Sequence, residues 1–350
     1  MKQFMLCSLA LVAALFVAGP VMAQMSINGA GATFPQPVYA KWAYKYNEAK
    51  GVKVNYQGIG SGGGVAQVKA KTVDFGGTDD PLKPEEIKQM GVYQFPTLMG
   101  GVVPALHVQG VQAGQLVLDG PTLAKIFMGE IAKWNDPALK KLNPKLNLPD
   151  KDITTVHRSD GSGTNFIFTS YLAAVSPEFK SKVGVGKSVN WPGKNNVGAK
   201  GNPGVAGQVQ NIDGSIGYVE YAYAVQNKIP TADMINKAGK VVKPTLESFG
   251  SAAASADWKS APLGYGLMLV DEPGENSWPI VGATYIMMFK DYPDAAKGKA
   301  VMDFFAWAFQ NGAGIAKELD YVALPENVVK MVEADWAKEI TCGGKPILKK

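Results

Sequence analysis

The chain has 350 residues, 46% of them apolar, and a formal charge of +5 spread without long charge runs. That length supports two domains, each large enough to bury its own core. No basic stripe or Lys-rich tail is present, which argues against a nucleic-acid partner.

Taken in chain order, the first 23 residues read as an export signal. Met1-Lys2 is a short basic start, Phe4 to Ala18 is nearly all apolar, and Gly19-Pro20 breaks the helix. Val21-Met22-Ala23 then offers a small-residue cleavage pattern, with the cut expected after Ala23. Cys7 leaves with this segment and Cys342 remains alone, so no intramolecular disulfide is expected. No later stretch is apolar enough to span a bilayer. A soluble, monomeric protein of a Gram-negative periplasm is the expectation.

Strand-like and helix-like stretches then alternate to the end, an α/β pattern. Residues 35–50 place Val38, Trp42 and Tyr46 at helical spacing, with Pro37 in the first turn and Gly51 at the end. Residues 52–56 alternate as a strand, 58–64 read as a glycine loop, 65–71 as a short helix and 73–76 as a strand. A helix is expected over 121–134 behind Asp119, with Leu123, Ile126, Phe127 and Ile131 on one face. A strand over 152–156, a Gly/Ser turn and a helix over 164–175 follow. The stretch 184–207, rich in Gly, Asn and Lys, reads as long surface loops. Strands are expected over 216–222 and 279–289, and helices near 296–310 and 327–338.

Three segments share one design, a loop of Gly with Ser, Thr or Asp placed just before a helix. They are Gly29-Ala30-Gly31-Ala32-Thr33-Phe34, Gly58-Ile59-Gly60-Ser61-Gly62-Gly63-Gly64 and Asp160-Gly161-Ser162-Gly163-Thr164. Glycine lets backbone amides approach a ligand, and the free N–H groups of a helix's first turn favour an anion. Hydroxyls of Thr33, Ser61, Ser162 and Thr164 would add neutral donors. Directly before the third loop stands Arg158, the only arginine among 35 basic residues. A guanidinium presents a planar fork that matches two oxygens of an oxyanion, which an ammonium cannot do. Asp160 is placed to orient that fork.

Donors alone would not separate phosphate from sulfate, but an acceptor would. A buried carboxylate can accept a hydrogen bond only from a ligand that still carries a proton, and phosphate does so near neutral pH. Sulfate would leave that charge unpaired, at several kcal/mol, roughly. Thr78-Asp79-Asp80-Pro81 supplies the candidate acceptors.

The loops above, with Tyr56-Gln57-Gly58-Ile59-Gly60-Ser61, Asp74-Phe75-Gly76, Leu116-Val117-Leu118-Asp119-Gly120, Ile216-Gly217-Tyr218-Val219-Glu220-Tyr221 and Leu319-Asp320-Tyr321, span nearly the whole mature chain. In these segments the sequence resembles the periplasmic phosphate-binding proteins of the high-affinity phosphate ABC transporter. The resemblance implies a type II-like periplasmic binding protein fold, two α/β domains with a ligand cleft at a hinge. It implies domain I over 24–98 plus 266–350, domain II over 104–265, and crossovers near 99–103 and 265. It also implies delivery of inorganic phosphate to the membrane permease and ATPase subunits, without cofactor or metal. Carried over by position, it assigns phosphate contacts to Ala32, Thr33, Phe34 and Ser61, proton reading to Asp79, and a two-pronged contact to Arg158 oriented by Asp160. Ser162, Gly163 and Thr164 complete the cage. His157 departs from the pattern, since well-known relatives carry a second Arg there.

The competing class is a secreted phosphatase-like hydrolase. Hydrolases need an activated nucleophile or metals, yet the chain has only His107 and His157 and no Gly-x-Ser-x-Gly elbow. Gly58, Gly60 and Gly63 formally satisfy a dinucleotide fingerprint, but an exported protein would rarely meet that cofactor.

Overall fold

The computed structural model describes residues 24–348, so the export signal and its cleavage position lie outside the described residues. Strand β1 (Ser26–Gly31) leads through helix α1 (Gln36–Lys50) to β2 (Lys53–Gly58), and helix α2 (Ser61–Lys69) carries the chain to β3 (Phe75–Thr78). These strands are parallel in the order β2–β1–β3. Successive connections therefore leave to opposite sides of β1, and such a switch point opens a crevice at the strands' carboxyl ends. Helix α1 forms as its stripe predicts. Val38, Trp42 and Tyr46 are buried, a proline sits in the first turn, and the Gly51 N–H closes the helix on the Asn47 carbonyl.

Strand β4 (Val92–His107) joins two wings. Beyond it, β5 (Thr154–Arg158) precedes helix α3 (Gly163–Val175), and β6 (Asn196–Ala199) precedes helix α4 (Gly201–Asn211). Both strands, with β7 (Ser215–Glu220), run parallel in the order β7–β5–β6. Strand β8 (Ile280–Phe289) is antiparallel to β3 and to β4. The full order is β2–β1–β3–β8–β4–β7–β5–β6. β4 pairs with β8 up to Gly101 and with β7 from Val102, so the chain passes from one wing to the other within a single strand.

Each wing has its own aromatic core. In the first, Phe305 meets Phe75 edge-on at 5.3 Å, and Phe95 meets Trp336 at 5.1 Å. In the second, Phe168 stacks on Tyr218 at 4.1 Å with Phe127 against its edge. Each such side chain contributes about 1.5–3 kcal/mol on full burial. Among the described residues no helix is long and apolar enough to cross a membrane.

The strands expected over 73–76, 152–156, 216–222 and 279–289 are β3, β5, β7 and β8, each shifted by a residue or two. The late helices are Ala295–Asn311 and Glu326–Glu339. Three expectations need correction. Helix α2 begins at Ser61, inside the stretch read as a loop, because tertiary crowding demands glycine there whatever its helix propensity. A Cβ at Gly64 would lie 2.6 Å from the Gly31 Cα. The helix expected over 121–134 ends at Phe127, although its N-cap Asp119 accepts from the Thr122 N–H as anticipated and Ile131 and Trp134 still bury from the following loop. Most consequentially, 184–207 contains β6 and the start of α4. Polar composition hid a helix whose Val205, Ala206 and Val209 are buried at helical spacing.

Candidate functional site

Two sets of three parallel strands, one from each wing, deliver their carboxyl ends to one place. Thr33 and Phe34 follow β1, Ser61 follows β2 and Asp79 follows β3. Arg158 ends β5, Asn202 follows β6 and Glu220 ends β7. Ala32, Thr33, Phe34, Ser61, Asp79, Arg158, Ser162 and Thr164 are each at most 4% exposed. The two wings touch here. The Gly62 N–H donates to the Gly161 carbonyl at 2.8 Å, and the Gly163 N–H donates to Ser61 Oγ at 3.0 Å. A Cβ at Gly163 would stand 2.5 Å from the Asp79 Cβ, so this approach requires glycine.

The site is built to donate. Ser61 Oγ accepts from the Gly163 N–H and from the Asp79 N–H at 3.2 Å. Thr33 Oγ1 accepts from the Asn202 N–H at 3.1 Å and from Asn202 Nδ2 at 2.9 Å, and Thr164 Oγ1 accepts from the same Nδ2 at 3.1 Å. A hydroxyl engaged by N–H donors keeps its own proton to give away. Among the described residues the amides of Thr33, Phe34, Ser61 and Thr164 have no protein acceptor, and they lie at the starts of α1, α2 and α3, where the dipole favours an anion.

Arg158 is the one cation buried among these donors. Its Nε and Nη2 hold Asp160 Oδ1 and Oδ2 at 2.8 and 2.6 Å, a two-pronged pair. Tyr218 Oη accepts from its backbone N–H at 3.0 Å, and the Gly201 N–H donates to Asp160 Oδ1 at 3.0 Å. Arg158 Nη1 is buried and has no protein partner. Asp160 thus takes one edge of the guanidinium and leaves the other for a ligand. Burial pushes the Asp160 carboxyl up, but the hydrogen bonds and charge of Arg158 outweigh it and hold it below its ordinary value.

Asp79 is the counterpart acceptor. Burial pushes its pKa up to about 7, against the Thr284 hydrogen bond and the Arg158 charge, which pull it down. Thr284 Oγ1 donates to Asp79 Oδ1 at 2.7 Å, while Oδ2 makes no hydrogen bond among the described residues. Thr284 reaches it where β8 and β4 slip by one residue opposite Thr97, and such bulges re-aim side chains.

Not every predicted residue offers a free group. The Ala32 N–H donates to the Gly77 carbonyl and its own carbonyl accepts from Tyr56, so Ala32 anchors the loop. The Ser162 N–H donates to the Lys187 carbonyl, and its hydroxyl accepts from the Asn165 N–H as the cap of α3. The His157 ring nitrogens meet the Arg158 carbonyl and Asn196 Oδ1, and its ring tilts on Trp191. Sequence reasoning missed Asn202 and Thr284. Gly201-Asn202-Pro203, a helix start with proline in its first turn, was the available signal for the former. It also missed an ion pair between the wings, Lys187 Nζ to Asp80 Oδ2 at 3.0 Å.

Comparison with known proteins identifies the fold and the family. The PBP superfamily domain matches residues 18–310. Phosphate-binding protein PstS of Pasteurella multocida is 54% identical over 90% of this chain and 91% of its own length, and that of Haemophilus influenzae 50% over 90% and 93%. Phosphate-binding protein PstS of Methanocaldococcus jannaschii is 38% identical over 87% and 84%. Among solved structures, a high-affinity periplasmic phosphate-binding protein bound with phosphate (PfluDING) shares the fold at a TM-score of 0.71 and 24% identity, covering 89% of this chain and 93% of that one. A human phosphate-binding apolipoprotein does so at 0.73 and 21%, covering 91% and 99%. Two wings of parallel strands meeting at a donor-rich cleft are accordingly a two-domain periplasmic binding protein fold, and the chain belongs to the PstS phosphate-binding protein family of the PBP superfamily.

Proposed function

We propose that this protein is an extracytoplasmic receptor that closes on one inorganic phosphate ion and delivers it to the permease and ATPase subunits of an ABC importer. The observation that carries this is the direction of the site's hydrogen bonds. Ser61 and Thr33 each already accept two N–H bonds and Thr164 accepts one, Arg158 Nη1 lacks a protein partner, and the buried carboxylate of Asp79 keeps Oδ2 without a hydrogen bond among the described residues. Many donors and one acceptor suit an oxyanion carrying one proton. Thr33, Phe34, Ser61, Arg158 and Thr164 contact the ligand, Asp79 accepts a hydrogen bond from its proton, Asp160 orients Arg158, and Ala32, Ser162 and Gly163 shape the wall. The two units, 24–98 with 266–350 and 104–265, close about the crossovers near 99–103 and 265. The chain is exported, cut after Ala23, and works as a monomer in the periplasm. Ser61 Oγ has two amides and no base as partners, so hydrolysis finds no support in the geometry.

Isothermal titration with phosphate, sulfate and a phosphate ester tests the reading. Tight phosphate binding, negligible sulfate binding at about pH 9, where Asp79 is ionised and phosphate still carries a proton, and no ester turnover are expected. Equal affinity for sulfate and phosphate, or turnover of the ester, would overturn it.

The Lys187–Asp80 pair adds a kinetic prediction. Both side chains are partly shielded, at 32% and 18% exposure, and the pair ties β3's loop to the 184–195 loop of the other wing. Pairs of this kind contribute about 1 kcal/mol or less. Lys187→Ala should therefore speed phosphate release by roughly threefold to fivefold, measured by stopped-flow fluorescence. The difference from wild type should shrink at high salt; a release rate unchanged at low salt would refute the latch.

A further inference from the structure

Asn202 opens α4 and is fully buried. Its side-chain Nδ2 donates to Thr33 Oγ1 and Thr164 Oγ1, and its backbone N–H donates to Thr33 Oγ1 again. Its Oδ1 accepts from the Glu220 N–H at 2.9 Å. Thr33 belongs to the first wing, whereas Thr164, Asn202 and Glu220 belong to the second.

The amide has a single workable orientation. Flipped, it would set an NH2 against the Glu220 N–H and an oxygen against both threonines, losing one hydrogen bond and reversing the others. The Glu220 N–H therefore selects the amide orientation, and the amide selects the hydroxyl orientation. Both threonine protons must point away from Asn202. Without Nδ2 the Thr164 hydroxyl loses its one protein donor and Thr33 keeps only the Asn202 backbone N–H, so neither proton is held firmly toward the ligand.

We infer that Asn202 is the positioning residue that makes Thr33 and Thr164, one from each wing, obligatory donors to the ligand and couples that orientation to closure. The inference rests on the phosphate-receptor reading. In the closed site both hydroxyls meet ligand oxygens that carry no proton, and the ligand's proton is left to Asp79. Asn202 acts only through the two hydroxyls, so its removal matters only while they are present. It does not choose between phosphate and sulfate, since both present bare oxygens to it.

The test is a mutant cycle with phosphate titration and stopped-flow release. Asn202→Ala in the wild-type background is expected to weaken phosphate about tenfold to thirtyfold, mainly through faster release, with sulfate remaining unbound at about pH 9. In the Thr33→Val/Thr164→Val background the same change is expected to weaken binding less than threefold, or to improve it, because Nδ2 there has lost both its acceptors. A residue that merely supports the fold would cost the same in both backgrounds, and that additivity would overturn the proposal. If Asn202→Ala does not fold by circular dichroism, the cycle is run with Asn202→Ser, which keeps the site polar, and the same comparison decides. Failure of the wild-type protein to bind phosphate would refute the receptor reading itself; wild-type binding with an additive cycle would refute only the role of Asn202.

Discussion

Replacing Arg158 by lysine is expected to weaken phosphate binding by roughly two to three powers of ten while keeping the formal charge. The guanidinium has two tasks at once. Nε and Nη2 hold both oxygens of Asp160, and Nη1 with the remaining Nη2 hydrogen faces the ligand. A lysine ammonium is a point donor on a flexible stem and cannot do both. Whichever partner it chooses, the other is left desolvated. Removing one member of a buried pair costs about 3–5 kcal/mol, and about 1.4 kcal/mol is tenfold in affinity. Titration calorimetry gives the affinity and circular dichroism confirms the fold. A loss below tenfold would show that the charge, and not the planar fork, is what binds. Asp160→Asn in the lysine background should recover part of the loss, because it removes the carboxylate left without its partner.

The second large effect concerns selectivity. Asp79→Asn is expected to weaken phosphate by roughly tenfold to a hundredfold, the range of a hydrogen bond to a charged group at about 1.5–3 kcal/mol. It should also let sulfate bind, since an amide can donate where a carboxylate could only accept. The pH dependence follows from the direction of the Asp79 shift. With its pKa raised to about 7, the residue stabilises the folded chain below the ordinary carboxylate range. That contribution is lost as pH rises through about 7. A protonated Asp79 can donate to sulfate, so sulfate affinity in the wild type should rise as pH falls, by about tenfold per unit above pH 7 and levelling off below. Asp79→Asn should abolish both the sulfate slope and its share of the stability slope. A pH-independent sulfate affinity in the wild type would sink the proton-reading role of Asp79.

Much of this site is readable from residue order because its parts are local. A glycine loop, a hydroxyl and a helix start need only a few consecutive residues, and each of the three loops carries its own set. Arg158 stood out by composition, one guanidinium in a chain that otherwise uses lysine, and Asp160 lies two residues away. Helix α1 was legible because its stripe and its ends agree. By contrast, β4 contains Pro96, Gly100, Gly101 and Pro104, which read as breakers. It holds as a strand because Pro96 sits beside the slip opposite Thr284 and because β8 and β7 cover it on both sides.

The amino-acid order therefore determined which chemistry is present: helix-start amides, four hydroxyls, one fork and the candidate carboxylates of Asp79 and Asp80. Tertiary structure decided which way each group faces. Ser61 must donate because Gly163, far along the chain, brings its N–H to the same oxygen. Thr33 and Thr164 must donate because Asn202 stands between them. Asp79 can read a proton because burial raises its pKa and Thr284 occupies one of its oxygens. A hydroxyl is both donor and acceptor until its surroundings choose, and a carboxylate's proton affinity depends on the water it has lost. Those choices depend on contacts between distant segments, so they arise only when the two wings meet.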